Sequence, residues 1–302
     1  MILCCGESLI DMVPEDGAFL PLPGGSVYNT AVALGRLGAK PGYLWPLSND
    51  DFGTALRGPL EQADVDMSLC PSVDRPTTLA FVFLTDGHAS YSFYDEGTAG
   101  RMFDPAEIPA LPDNVEALFI GGISLIQEPC GATVEELARR AAENGAVLMM
   151  DLNIRPSLIH DDRSTRNRLE GLMRIADIVK ISDEDAAWLF PDHAPADTAA
   201  QLLDLGPKLI LRTHGSEGAT AIHRNITVNR PADRVKVADT IGAGDTFNAG
   251  FLTALSEEGA LTKDALEYIG KETLRTALDL AAQAAAVTVS RPGANPPWRG
   301  EL

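Results

Sequence analysis

Four short apolar runs in the middle of the chain, at residues 117–121, 147–152, 178–181 and 208–213, are separated by helical stretches at 130–144, 164–175, 183–190 and 196–205. Strands alternating with helices of this length predict a largely parallel sheet covered on both faces. In such sheets ligands bind beyond the C-terminal ends of the strands. The polar residues of this chain gather at those ends: Gly121-Gly122, then Asp151-Leu152-Asn153-Ile154-Arg155-Pro156, then Lys180-Ile181-Ser182-Asp183-Glu184-Asp185, then Thr213-His214-Gly215-Ser216-Glu217-Gly218. Their convergence says more than any one of them.

Material outside this rhythm is β-rich. After a buried-strand run at 2–5, the segments 9–22 and 78–97 read as a small sheet, with Asp86-Gly87 as a hairpin turn. We expect this appendage to act as a lid over the strand-end site, within one unit spanning residues 1–302. Tyr91, Phe93 and Tyr94 could cover a sugar face or simply pack. Residues 42–47 read as a strand and 51–63 as a helix. A β-prone run at 234–238 leads into a glycine turn and a further helix to about residue 255, and a long alanine-rich helical stretch follows at 262–287.

Composition sets outer limits. A net charge of −19 over 302 residues argues against a nucleic-acid or anionic-membrane surface, both of which would repel the chain. Any site for a polyanion must therefore be locally positive, made of backbone N–H groups, a few arginines and metal ions. The cysteines Cys4, Cys5, Cys70 and Cys130 lack metal-ligand spacing and suggest no disulfide framework. No secretory signal and no apolar stretch of membrane-spanning length is apparent, so the expected compartment is the cytoplasm.

Two glycine turns carry the chemistry. Asp239-Thr240-Ile241-Gly242-Ala243-Gly244-Asp245 leaves little side chain over the turn, so N–H groups at a helix N-terminus can approach an anion. Asp245 in that electropositive place is either a base or a plain helix N-cap. Pro23-Gly24-Gly25-Ser26-Val27-Tyr28-Asn29 offers a second pair of glycines before a helix, again with backbone N–H groups exposed, and Asn29 has both a donor and an acceptor suited to a polyol. Asp11, flanked by apolar residues, is either satisfied by backbone donors or holds a ligand hydroxyl. The chain contains no GxxxxGK[ST], no GxGxxG after the first strand, no GxSxG and no HExxH, and its histidines are scattered singly. That excludes P-loop and nicotinamide-binding fingerprints. What remains suits phosphoryl transfer to a hydroxyl.

Together the two turns, in this order and separation, resemble the paired signatures of the ribokinase-like (PfkB) carbohydrate kinase family. Phe93-Tyr94-Asp95-Glu96-Gly97-Thr98-Ala99, with the 151–156 and 177–182 segments, is most similar to the fructokinase branch. The resemblance covers essentially the whole chain. It implies a Rossmann-like α/β core with a small β lid, and ATP-dependent phosphorylation of a sugar hydroxymethyl group, fructose first. The runners-up are 2-keto-3-deoxygluconate and ribose or a nucleoside; a non-catalytic sugar- or nucleotide-binding protein is the reading from a different class. It further implies Asp245 as base and the N–H groups of Gly242, Ala243, Gly244 and Asp245 as anion hole. Asp11, Gly24, Gly25, Asn29, Phe93 and Arg155 would contact the sugar. Lys180, Ser182, Thr213, Gly215, Gly218 and Asn295 would serve the nucleotide. Mg²⁺ would be placed through water by Asp185 or Glu184, and a monovalent cation such as K⁺ by carbonyls near Asp239, Ile241, Arg291 and Gly293. The sequence departs from the family pattern twice: Ser182-Asp183-Glu184-Asp185 stands where many members have Asn-x-x-Glu, and Gly100 stands where fructokinase-like chains often have aspartate. Pairing of lid edge strands between subunits would make a homodimer.

Overall fold

Two main sheets position everything else. The computed structural model describes residues 1–85, 88–192, 195–224 and 226–302, so the expected Asp86-Gly87 turn lies outside the described residues. The chain begins β1 (Ile2–Cys5), β2 (Leu9–Glu15), β3 (Ala18–Gly24), α1 (Ser26–Arg36), β4 (Gly42–Leu44), β5 (Leu47–Ser48) and α2 (Asp51–Gln62). Next come β6 (Ser72–Val73), β7 (Leu79–Thr85), β8 (His88–Tyr94), β9 (Ala117–Gly121), α3 (Cys130–Glu143), β10 (Val147–Asp151) and α4 (Asp162–Ile175). Then follow β11 (Ile178–Ser182), α5 (Asp183–Leu189), α6 (Pro195–Leu205), β12 (Leu209–Thr213), β13 (Ala219–His223) and β14 (Ile226–Arg230). The chain closes with α7 (Ala243–Glu257), α8 (Lys263–Glu267) and α9 (Lys271–Val289).

The larger sheet has eight strands in the order β14-β13-β12-β11-β10-β9-β1-β4. From β4 to β12 all pairs are parallel, and only the β12–β13 and β13–β14 pairs are antiparallel, so β13 alone runs against the other strands. Every residue of β1, β9 and β10 is buried, as strands covered by helices on both faces require. The smaller sheet, ordered β3-β2-β7-β8, combines the two β-rich segments read from the sequence. Its β2–β7 pair is parallel, while the two hairpins are antiparallel.

Helices α7 and α9 press together because both offer small residues at the crossing. A Cβ added at Gly250 would stand 2.7 Å from the Ala281 Cα. Ala277, Ala281 and Ala284 are fully buried, so the alanines serve close helix packing. No helix among the described residues is long and apolar enough to cross a membrane.

The sequence-based elements hold through the middle of the chain and fail in the last third. Residues 234–238 form no strand, despite their β-prone side chains. Val235 and Val237 are exposed at 40% and 59%, and the Ala238 and Asp239 N–H groups donate to the Val289 carbonyl at the end of α9. With no strand alongside, β propensity has no ladder to join. Residues 219–223 and 226–230, which the sequence left unassigned, extend the sheet as β13 and β14. The alanine-rich stretch is broken into α8 and α9 across Tyr268–Ile269–Gly270, with Gly270 as the cap of α9. Helix α7 starts at Ala243 and runs to Glu257, outlasting the expected end by two residues.

Candidate active site

The N-terminus of α7 is open. Gly242 caps the helix in the left-handed region (φ 77°), and no side chain caps it. A Cβ on Gly242 would also come within 2.8 Å of the Ala294 Cβ, so both backbone angle and space require glycine. Ala243 N–H reaches the Thr240 carbonyl at 3.3 Å, whereas those of Gly242, Gly244 and Asp245 have no protein acceptor among the described residues. Unsatisfied donors and the helix dipole make this an anion site.

Asp245 is therefore not the cap. It lies inside the first turn, 9% exposed, with its carboxylate turned to α1. Ser26 Oγ donates to Oδ1 at 2.8 Å and Asn29 Nδ2 donates to Oδ2 at 2.9 Å. Burial pushes its pKa up to about 6; the Asn29 and Ser26 bonds and Lys180 pull it down, and Asp151 pushes it further up. Beneath the turn, Lys180 Nζ donates to both Asp151 oxygens at 3.0 and 2.9 Å, and Asn248 Nδ2 donates to Oδ2 at 2.7 Å. A Cβ at Gly244 would stand 3.3 Å from Lys180 Nζ, so the buried ammonium lies directly under the anion site. Burial pushes the Lys180 pKa down, but Asp151, Asp185 and Asp245 outweigh it and hold the group above its ordinary range. It stays cationic.

A cavity of about 310 Å³ opens in front of these groups. That volume suits a small polar ligand. Of the residues singled out in the sequence, Asp11, Gly25, Asn29, Phe93, Arg155, Lys180, Ile241, Gly242, Gly244 and Asp245 line it. Asp11 has no hydrogen-bond partner among the described residues, which leaves its carboxylate for a ligand; burial and the nearby Asp245 push its pKa up to about 7. Phe93 stacks on Tyr91 with centroids 6.0 Å apart, so β8 of the small sheet supplies an aromatic wall. Arg155 donates to the carbonyls of Asn153 and Ile154 at 3.4 and 3.2 Å.

The first pair of glycines works differently from expectation. Gly24 does not line the cavity; a Cβ there would sit 2.2 Å from Asp11 Oδ2, so the glycine makes room for that carboxylate. Two of the donors at the start of α1 are taken by the protein itself. Ser26 N–H donates to Glu7 Oε1 at 3.0 Å and Tyr28 N–H to the Glu7 carbonyl at 3.3 Å. Glu7 is 6% exposed and borders the same cavity. Burial pushes its pKa up to about 7, against the lowering effect of the backbone N–H groups it accepts from. Sequence reading missed it and Asn248, which bonds Asp151 beneath the site: an acid between two strands and an amide inside a helix carry no motif.

The remaining expected residues lie around the rim or behind it. Ser182 caps α5, and Asp185 accepts from Ile154 N–H at 2.7 Å and from Ser182 N–H and Oγ at 3.0 and 2.8 Å. Asp185 is thus occupied in fixing the Arg155 loop, while its neighbour Glu184 is exposed. Thr213 ends β12, Gly215 opens a short 3₁₀ turn, and Gly218 (φ 108°) packs on the Arg230 carbonyl. None of the three lines the cavity. Asn295 accepts from Arg36 Nη1 at 2.7 Å and borders a second cavity of about 300 Å³ beside α1.

Asp239 draws two loops together, accepting from Ile241 N–H at 3.1 Å and from Gly293 N–H at 2.9 Å. The Arg291 side chain is turned away to Glu301. Among the described residues no group of three or more His, Cys, Asp or Glu converges on a point. That donor set makes no protein-built cage for a divalent ion among the described residues.

Comparison with known proteins accords with this geometry. Residues 2–299 match the pfkB family carbohydrate kinase model. A fructokinase of Rhizobium leguminosarum bv. trifolii is 46% identical over 286 residues, 92% of this chain and 87% of that one. The crystal structure of fructokinase with bound ATP from Xylella fastidiosa superposes with a TM-score of 0.90 at 32% identity, covering 97% of this chain and 93% of the other. Aminoimidazole riboside kinase from Salmonella enterica, complexed with aminoimidazole riboside and an ATP analog, superposes with a TM-score of 0.84 at 26% identity, covering 97% and 94%.

Proposed function

This chain belongs to the pfkB family of carbohydrate kinases, and we propose that it transfers the γ-phosphoryl group of ATP to a hydroxymethyl group of fructose. One observation carries the reading: an ionisable, hydrogen-bonded Asp245 stands inside a helix N-terminus whose Gly242, Gly244 and Asp245 donors are unoccupied among the described residues. With its pKa near 6, Asp245 is ionised at neutral pH yet basic enough to take a hydroxyl proton. Ser26 and Asn29 aim its oxygens. The N–H groups of Gly242, Ala243, Gly244 and Asp245 receive charge that develops on the transferred group, with Lys180 beneath them as a fixed cation.

The sugar lies in the 310 Å³ cavity, with Asp11 and Asn29 on its hydroxyls, Phe93 against its face and Arg155 between sugar and phosphate. The nucleotide runs over the rim formed by Ser182, Thr213, Gly215 and Gly218 toward Asn295. Magnesium enters with ATP; exposed Glu184 reaches its water shell more readily than Asp185, whose oxygens are engaged. The backbone carbonyls near Asp239, Ile241, Arg291 and Gly293 would hold a monovalent cation, since Asp239 already joins those loops. The small sheet closes as a lid. Its outer face exposes Phe19, Phe83 and Tyr94 at 39–62%, which suits a homodimer paired through it. Four free cysteines, three of them buried, accord with the cytoplasm.

The test is ADP release across fructose, ribose, tagatose, 2-keto-3-deoxygluconate and adenosine, with Mg²⁺ and with or without K⁺. Fructose should give the highest kcat/KM, raised by K⁺. A tenfold preference for another acceptor would replace fructose, and no turnover with any of them would make the chain a binding protein. Elution volume decides the dimer.

A further inference from the structure

Helix α1 has no side-chain cap of its own: Gly25 stands at its N-cap. The cap is supplied by Glu7, 19 residues earlier, whose Oε1 accepts from Ser26 N–H. Oε2 accepts from Ser124 N–H at 3.3 Å, in the turn after β9. Two glycines are fitted to the same residue. A Cβ on Gly122 would stand 2.2 Å from Glu7 Oε1, and one on Gly25 would stand 2.6 Å from the Glu7 carbonyl. One buried carboxylate therefore fastens the end of β1, the start of α1 and the turn after β9 to each other.

The residue it holds is the residue that holds the base. Ser26 gives its N–H to Glu7 and its hydroxyl to Asp245, and Asn29, one turn further along α1, gives its amide to the other Asp245 oxygen. We propose that Glu7 is a positioning residue for phosphoryl transfer, fixing the first turn of α1 so that Ser26 and Asn29 meet both oxygens of Asp245. The inference rests on Asp245 being the base. It differs from a plain cap in what it governs. A cap steadies its helix and leaves the rate of folded enzyme alone, whereas a base displaced by about an ångström can cost roughly 100-fold in rate.

The experiment compares Glu7→Gln, Glu7→Asp and Glu7→Ala with Asp245→Asn, measuring kcat, both KM values and the thermal midpoint. Gln keeps the length and one acceptor oxygen for the Ser26 N–H, whereas Asp falls one methylene short. The expected order of kcat is wild type, then Gln at roughly a tenth, then Asp and Ala together at roughly a hundredth. KM for fructose and for ATP should stay within about threefold, because no substrate contact is removed. Three results would overturn the proposal: folded Glu7→Ala with kcat near wild type, KM values that rise in step with the loss of kcat, or a Glu7→Gln chain that does not fold. If Asp245→Asn keeps a tenth of the activity, the base is misassigned; if it is inactive while the Glu7 variants are normal, only the present inference fails.

Discussion

Helices α1 and α7 both begin at a glycine N-cap beside the same cavity, and their N-termini have different fates. At α1 one residue of the protein takes two of the donors: Glu7 accepts from Ser26 N–H with its carboxylate and from Tyr28 N–H with its carbonyl. At α7 there is no side-chain cap, and the donors of Gly242, Gly244 and Asp245 stay open. A helix N-terminus attracts an anion in either case. What differs is whether the chain brings its own. The terminus that Glu7 occupies is scaffold and the open one is where we propose the phosphate goes, although the local sequences look alike.

The contrast can be broken most severely at Asp245. Asp245→Asn should lower kcat by about a thousandfold or more, the scale of general-base catalysis, and leave ADP affinity within about twofold, because the donors of α7 remain; turnover assays beside calorimetric ADP titration read both. The two glycine pairs should then separate by kinetic parameter. Gly242→Ala forces a side chain into φ 77° against Ala294 and should lower kcat roughly 10- to 100-fold. Gly24→Ala pushes on Asp11 and should instead raise the fructose KM about tenfold with kcat nearly kept.

Acidity gives a smaller effect. With the Asp245 pKa at about 6 in the ligand-free chain, kcat/KM should fall tenfold per unit as pH drops below about 6, along a one-proton limb. Smaller still is a change in stability. The Asp11 pKa is raised from its ordinary value to about 7, so the folded state holds that proton more tightly than the unfolded chain. Stability from Asp11 is then fully present below the unfolded value and drains away as pH rises toward 7. Asp11→Asn should accordingly melt higher than wild type at pH 8, by ~1–2 kcal/mol in the absence of sugar, and the gap should close near pH 4. No difference at pH 8 would mean that the carboxylate is better solvated than its setting indicates.

How much of this was legible depended on whether the signal was local. β9, β10, β11 and β12 announce themselves because strands buried on both faces are unbroken apolar runs, and polar residues at their ends are then conspicuous. Residues 234–238 misled because valines at alternate positions look the same whether or not a partner strand lies beside them. The break at Tyr268–Ile269–Gly270 is marked only by one glycine in a strongly helical composition. In the site, Asp245, Gly242 and Asp11 could be named from spacing. The Glu7–Ser26–Asp245 chain and the Lys180–Asp151–Asn248 cluster could not, because each joins residues whose proximity only the fold creates. Even where Gly24 was rightly singled out, its purpose, space for Asp11, was invisible.

The bond between Ser26 and Asp245 joins residues 219 apart, and Arg36 meets Asn295 across 259. Contacts so distant in sequence form late, after the loop between them has closed. On the ribosome α1 emerges long before α7, so the groups that aim the base exist for most of synthesis with nothing to aim. A nascent or C-terminally shortened chain can offer neither half of the reaction: the open donors and the base arrive together on α7. The proposed base and the open donors thus join the fold in one step, with α7.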